Sequence, residues 1–126
     1  MRKFQEEYER LTPKAEEEQL LKDPEERDKN VIFIHGLESS GHGFKGNLLR
    51  SKIPSILTPD FWEYISGTPY PEVLSKRMAQ LEEILSQKSD WILIGSSFGG
   101  LMATLYAVKN PERIKRLILL APYIYT

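Results

Sequence analysis

Ser97, His35 and His42 are the residues whose types could do chemistry together in this chain. Ser97 lies in Gly95-Ser96-Ser97-Phe98-Gly99, a G-x-S-x-G run directly after the apolar stretch Trp91-Ile92-Leu93-Ile94. That order reads as a buried strand, a turn too tight for ordinary side chains, then a helix: a nucleophile elbow, which lifts the Ser97 hydroxyl clear of the sheet. A serine hydroxyl becomes a useful nucleophile only when a base takes its proton. Both histidines precede Ser97, and the 29 residues after it contain no histidine and no aspartate. The one downstream carboxylate, Glu112, falls in the turn before the next strand, at the expected far end of the sheet.

The elements that must position these groups alternate along the chain. Val31 to Ile34 is a short β-branched apolar run, as expected of a strand buried on both faces. Gly36, Gly41, Gly43 and Gly46 make the next segment a loop, followed by a short helix near 44–50. Ile53 to Leu57 reads as a second strand, with Pro54 at its start. Pro71 opens a helix to about Gln87, whose Leu74, Met78, Leu81 and Leu85 form a core-facing stripe. Trp91 to Ile94 is a third strand, 97–109 a buried helix ended by Asn110-Pro111, and Leu117 to Leu120 a fourth strand. Four apolar strands separated by helices predict an α/β fold with an open parallel sheet, order 2-1-3-4, covered on both faces. Such sheets hold ligands at the carboxyl ends of their strands, where His35-Gly36 and Gly95 both fall.

Two further segments carry alternatives. Residues 59–70 hold Phe61, Trp62, Tyr64 and Tyr70, which suit either a wall of an apolar substrate pocket or anchors tying a loop to the core. Residues 1–30 carry seven basic and ten acidic residues and read as a charged arm, helical over 2–11 and 14–22; 31–126 form the body. The arm reads as a solvated helix packed on the body, with a lid or partner-binding segment as the alternative.

Composition limits the partners. A net charge of −1 gives no electrostatic reason to expect nucleic acid or an anionic membrane. The absence of cysteine excludes disulfides and thiolate metal ligands. The start, Met1 to Glu7, turns acidic where a secretory signal would be apolar, so a cytoplasmic location is expected. No cofactor is expected. No metal is either, since no carboxylate cluster accompanies the two histidines.

VIFIHGLESSG, ILIGSSFGGLMA and RLILLAP together resemble the α/β-hydrolase family, and within it the short bacterial esterases. The resemblance covers residues 31–122. It implies that Ser97 is the nucleophile and that the backbone N–H groups of Leu37 and Phe98 form an oxyanion hole. His35, Gly36, Gly95 and Gly99 would shape the surrounding loops. The implied activity is that of a serine carboxylesterase cleaving a small-molecule ester or thioester. In that family the acid and histidine follow the serine, and here they do not. The expectation is therefore of a fragment or truncated hydrolase, weak or inactive by itself. The other readings are a non-catalytic binding module that keeps the fold, or a homodimer paired through the 117–121 edge. His35 reads as a structural histidine of its loop, and His42 sits on a glycine-flanked loop. Either would serve as base only within hydrogen-bond reach of the serine.

Overall fold

The computed structural model describes residues 30–122. The arm, apart from Asn30, and its two expected helices lie outside them. Three parallel strands form the sheet: β1 (Asn30–Ile34), β2 (Trp91–Ser97) and β3 (Ile114–Pro122), in the order β1-β2-β3. Between β1 and β2 run α1 (Phe44–Lys52) and α2 (Tyr70–Leu85). Between β2 and β3 run α3 (Phe98–Lys109) and a single 3₁₀ turn, Pro111–Arg113.

Strand alternation sorts the core into two layers, because successive side chains point to opposite faces. On one face Ile32, Ile34 and Leu93 pack with Val73, Leu81 and Leu85 of α2 and with Phe98, Met102, Ala103 and Tyr106 of α3. On the other, Val31, Phe33, Ile92, Ile94, Ile118 and Leu120 pack with Leu49, Ile53 and Ile56. Each buried Val, Leu, Ile, Phe or Met side chain contributes about 1.5–3 kcal/mol by leaving water. The sheet is therefore clamped between α1 and the α2–α3 pair. Pro71 sits in the first turn of α2, where a missing N–H costs nothing.

The strand count differs from the expected four. Residues 53–57 contribute only one bridge, Leu57 to Ile32, on the edge of β1 away from β2. Leu57 N–H donates to Val31 O at 2.9 Å, and its carbonyl accepts from Phe33 N–H at 2.8 Å. The cause is local: Ile56 N–H turns back to Ile53 O, and Pro54 and Pro59 bracket the segment with residues that cannot donate. The fully buried line of α2 also differs from the expected stripe. It runs through Val73, Arg77, Leu81 and Leu85, with Leu74 and Met78 partly buried beside it. In α3 the buried side is real but Val108 is 74% exposed, so the helix covers the sheet with one face only.

Candidate functional site

β2 runs straight into α3, and Ser97 is the residue at the corner. Its backbone stands at φ 54° and ψ −118°. That is the first central position of a type II′ turn, which ordinarily calls for glycine. Among the described residues only Asp90 shares a positive φ without being glycine. Two glycines allow the corner. A Cβ on Gly95 would lie 2.5 Å from Gly99 O and 2.7 Å from Gly100 Cα. A Cβ on Gly99 would overlap the carbonyl of Ile34. The first turn of α3 is thus seated on the ends of β1 and β2, with its positive dipole end beside Ser97.

Register brings the second loop to the same place. Ile34 pairs with Gly95, so the chain leaving β1 passes the corner. A Cβ on Gly36 would sit 3.6 Å from Ser97 Cβ. His35 is 1% exposed, and both its ring nitrogens are engaged. Nε2 accepts the Phe61 N–H at 2.9 Å, so the proton is on Nδ1, which donates to Gly36 O at 2.7 Å. Burial holds His35 below the usual histidine pKa, opposed by the bond to Gly36 O. The ring also packs on Phe61, with centroids 5.4 Å apart. His35 is committed to this loop rather than to the serine.

Arg77 is the residue that the sequence did not single out. It is fully buried in α2. Nε donates to Trp62 O at 2.8 Å, and the two terminal nitrogens donate to Gly36 O at 3.1 Å and to Leu37 O at 2.8 Å. The guanidinium carbon also lies 5.7 Å from the Phe98 ring centroid. Burial lowers its pKa from the ordinary arginine value. The one available signal was positional: Arg77 falls four residues after Val73 and four before Leu81, on the same helix line.

The remaining polar residues are dispersed. His42 is exposed and its Nδ1 contacts Asp60 Oδ2 at 3.1 Å, while Asp60 Oδ1 accepts the Gly41 N–H at 2.8 Å. That backbone N–H, with His42 adding to it, holds the Asp60 carboxyl below the usual aspartate pKa. Ser96 points into the α1 layer, buried, and Lys45 Nζ donates to its Oγ at 3.3 Å. Glu112 lies in the 3₁₀ turn ahead of β3, at the opposite end of the sheet from Ser97. Both ring nitrogens of His35 and Nδ1 of His42 hydrogen-bond elsewhere, not to Ser97.

The aromatic loop divides. Phe61 is a buried anchor, and Trp62 is tied by its N–H to Gln80 Oε1 at 2.6 Å. Tyr64, paired with Tyr70 at 6.0 Å, instead lines an open cleft of about 310 Å³ with Leu37, Glu38, Ser39, Glu63 and Ser66. This cleft shares Leu37 with the serine corner but is not lined by Ser97. No group of three or more metal-ligating side chains occurs among the described residues. None of the described helices is long and apolar enough to cross a membrane.

A parallel sheet with a serine on a positive-φ corner between strand and helix belongs to a recognisable class. The family profile described as the alpha/beta hydrolase fold matches residues 29–125, and the chain belongs to that family. Among curated proteins, a probable 1-acylglycerol-3-phosphate O-acyltransferase from Oryza sativa subsp. japonica is 29% identical over 113 residues, covering 79% of this chain and 27% of that protein. A (lyso)-N-acylphosphatidylethanolamine lipase from Mus musculus is 56% identical over 32 residues, covering 25% of this chain and 9% of that protein. The chain thus spans about a quarter or less of the curated relatives it matches. Two solved structures share the fold. Alpha/beta hydrolase domain-containing protein 10 from mouse aligns with a TM-score of 0.59 at 23% identity, over 73% of this chain and 40% of that one. An extracellular alpha/beta-hydrolase from a Paenibacillus species aligns at 0.57 and 21%, over 71% of this chain and 39% of that one.

Proposed function

We propose that this chain carries the nucleophile half of a serine acyl-transfer site acting on a carboxylic ester or thioester. The observation that carries the reading is the backbone of Ser97, φ 54° and ψ −118°, held where side chains are disfavoured by glycines that α3 and β1 press upon. Strain of this kind costs about 1–3 kcal/mol and clusters at functional corners. The curated relatives support the class of chemistry, since one is named as an O-acyltransferase and another as a lipase.

In this reading Ser97 Oγ attacks the acyl carbon and gives its proton to a base. The carbonyl oxygen becomes an oxyanion held by the N–H groups of Leu37 and Phe98. The alcohol or thiol then leaves with a proton, and water releases the acid from the acyl-serine. Neither histidine is the base, because His35 is spent on Gly36 and Phe61, and His42 faces Asp60. The chain holds no third histidine, so within it Ser97 has no histidine acceptor. In a well-studied serine protease, loss of the triad histidine lowers turnover by about 10⁶. This chain alone is therefore a slow acylator.

The commitment of both histidines favours a second reading, a binding module that keeps the hydrolase fold without turnover. A fluorophosphonate probe separates the two. Slow labelling at Ser97, abolished in Ser97→Ala, is the expected result. A folded chain that takes no label at Ser97 leaves the binding module standing.

A further inference from the structure

Gly36 O is unusually well held. It accepts from the His35 Nδ1–H at 2.7 Å, an Arg77 terminal nitrogen at 3.1 Å and the Ser39 N–H at 3.3 Å. In a trans peptide the carbonyl and the following N–H point in opposite directions. Fixing Gly36 O toward α2 therefore fixes the Leu37 N–H away from α2. The same guanidinium fixes Leu37 O at 2.8 Å, which sets the Glu38 N–H in the same manner. Neither N–H has an acceptor among the described residues. On its other side Arg77 meets the ring of Phe98, the first residue of α3.

We propose that Arg77 is the positioning residue of the oxyanion loop: its guanidinium aims and polarises the Gly36–Leu37 and Leu37–Glu38 peptides toward the Ser97 corner. The inference rests on Ser97 being the nucleophile and adds a residue to that site. The three acceptors, Trp62 O, Gly36 O and Leu37 O, lie around one planar fork, which arginine fills and lysine does not. Among the described residues Arg77 takes no carboxylate partner, so its charge is directed at peptide carbonyls. A cation on a carbonyl draws electron density through the amide and makes its N–H a stronger donor, the cooperative effect of linked hydrogen bonds. An oxyanion on the far side of those peptides would be stabilised by the same charge. Arginine stays protonated across the working pH range, so this contribution does not titrate.

The test uses the full chain with Arg77→Met and Arg77→Lys, each checked for folding by dispersed amide resonances. Saturation kinetics with a fluorophosphonate separate probe binding (KI) from bond formation at Ser97 (kinact), because the phosphonyl oxygen occupies the oxyanion position. Arg77→Met is expected to lower kinact about 10²-fold, the loss typical of one misplaced oxyanion donor, with KI little changed. Arg77→Lys should restore only part of it. The ¹⁵N resonances of Leu37 and Glu38 should move in both variants. A wild-type kinact in folded Arg77→Met overturns the proposal. If that variant does not fold, a wild-type kinact in Arg77→Lys overturns it equally. If the wild-type chain takes no label, the nucleophile reading fails by itself. The Leu37 and Glu38 resonances then decide whether Arg77 controls the loop, and unmoved resonances overturn that.

Discussion

The two loops that meet at Ser97 are built in opposite ways. The 95–100 corner is permitted by its own sequence and seated by close backbone contact: glycines stand two residues either side of the serine, and Gly99 lies against the end of β1. The 35–40 loop is held from a distance. Its carbonyls are gripped by Arg77, some forty residues on, and its histidine is fixed by the Phe61 N–H, 26 residues on. One loop is a steric device, and the other is a polar device assembled by tertiary structure. Substitutions should therefore act on them through different physics.

The sharpest break falls on the corner. Gly99→Ala places a methyl group into the carbonyl of Ile34 and within 2.6 Å of His35 O, both backbone atoms that cannot rotate aside. The expected loss is on the order of 4 kcal/mol, at the upper end of single-substitution effects. Urea unfolding of the variant measures it. Gly100→Ala is the matched control, because its Cβ would meet nothing closer than 3.4 Å. A Gly99→Ala chain as stable as Gly100→Ala would mean the corner is not held by contact.

That contrast also explains what was legible in the sequence. The βαβ alternation, the parallel strands 31–34, 91–94 and 117–120, and the glycine-flanked serine all follow from short-range pattern. Residues 53–57 were over-read, because an apolar run between prolines looks like a strand while its hydrogen bonds make a turn and one bridge. Arg77 was not legible, since an arginine on a helix is ordinarily solvated. Only the three carbonyls brought to it by the fold make its burial tolerable. In the aromatic loop the anchor reading holds for Phe61 and Trp62, while Tyr64 lies at a cleft lined mostly by polar residues and not by Ser97.

The distance-built loop should break at smaller cost and with a pH signature. His35→Leu leaves the Phe61 N–H without its acceptor, while Gly36 O keeps Arg77 and Ser39. An orphaned buried donor costs about 1–3 kcal/mol. In the parent chain the His35 pKa is depressed by burial, so the unfolded state binds its proton first as pH falls. Stability should accordingly decline as pH drops below about 6.5, the ordinary histidine value, and level off once the folded state is protonated too. Asp60, depressed by the Gly41 N–H, adds a separate loss at lower pH, as its carboxylate protonates. Unfolding free energy followed from pH 8 to pH 5 checks the histidine window. A His35→Leu chain that keeps the same slope there would assign the proton to another group.

The smallest effect has the opposite sign and returns to the corner. Ser97 holds φ 54° and ψ −118°, a conformation glycine adopts at no steric cost and serine does not. Ser97→Gly removes the Cβ, and Ser97→Ala removes the hydroxyl but keeps the Cβ. If the corner stores strain, its relief favours the glycine variant over the alanine variant by about 1 kcal/mol before the unfolded chain is counted, the lower end of such strain. Glycine also gains more freedom in the unfolded chain, which subtracts roughly 0.5–1 kcal/mol from that gain. Equal stability of the two variants would therefore still correspond to strain at Ser97, since the two contributions cancel. An alanine variant more stable by the full unfolded-state difference would show that the corner holds none. That outcome would leave the 95–100 loop steric only at its glycines, with no conformational energy stored at the serine itself.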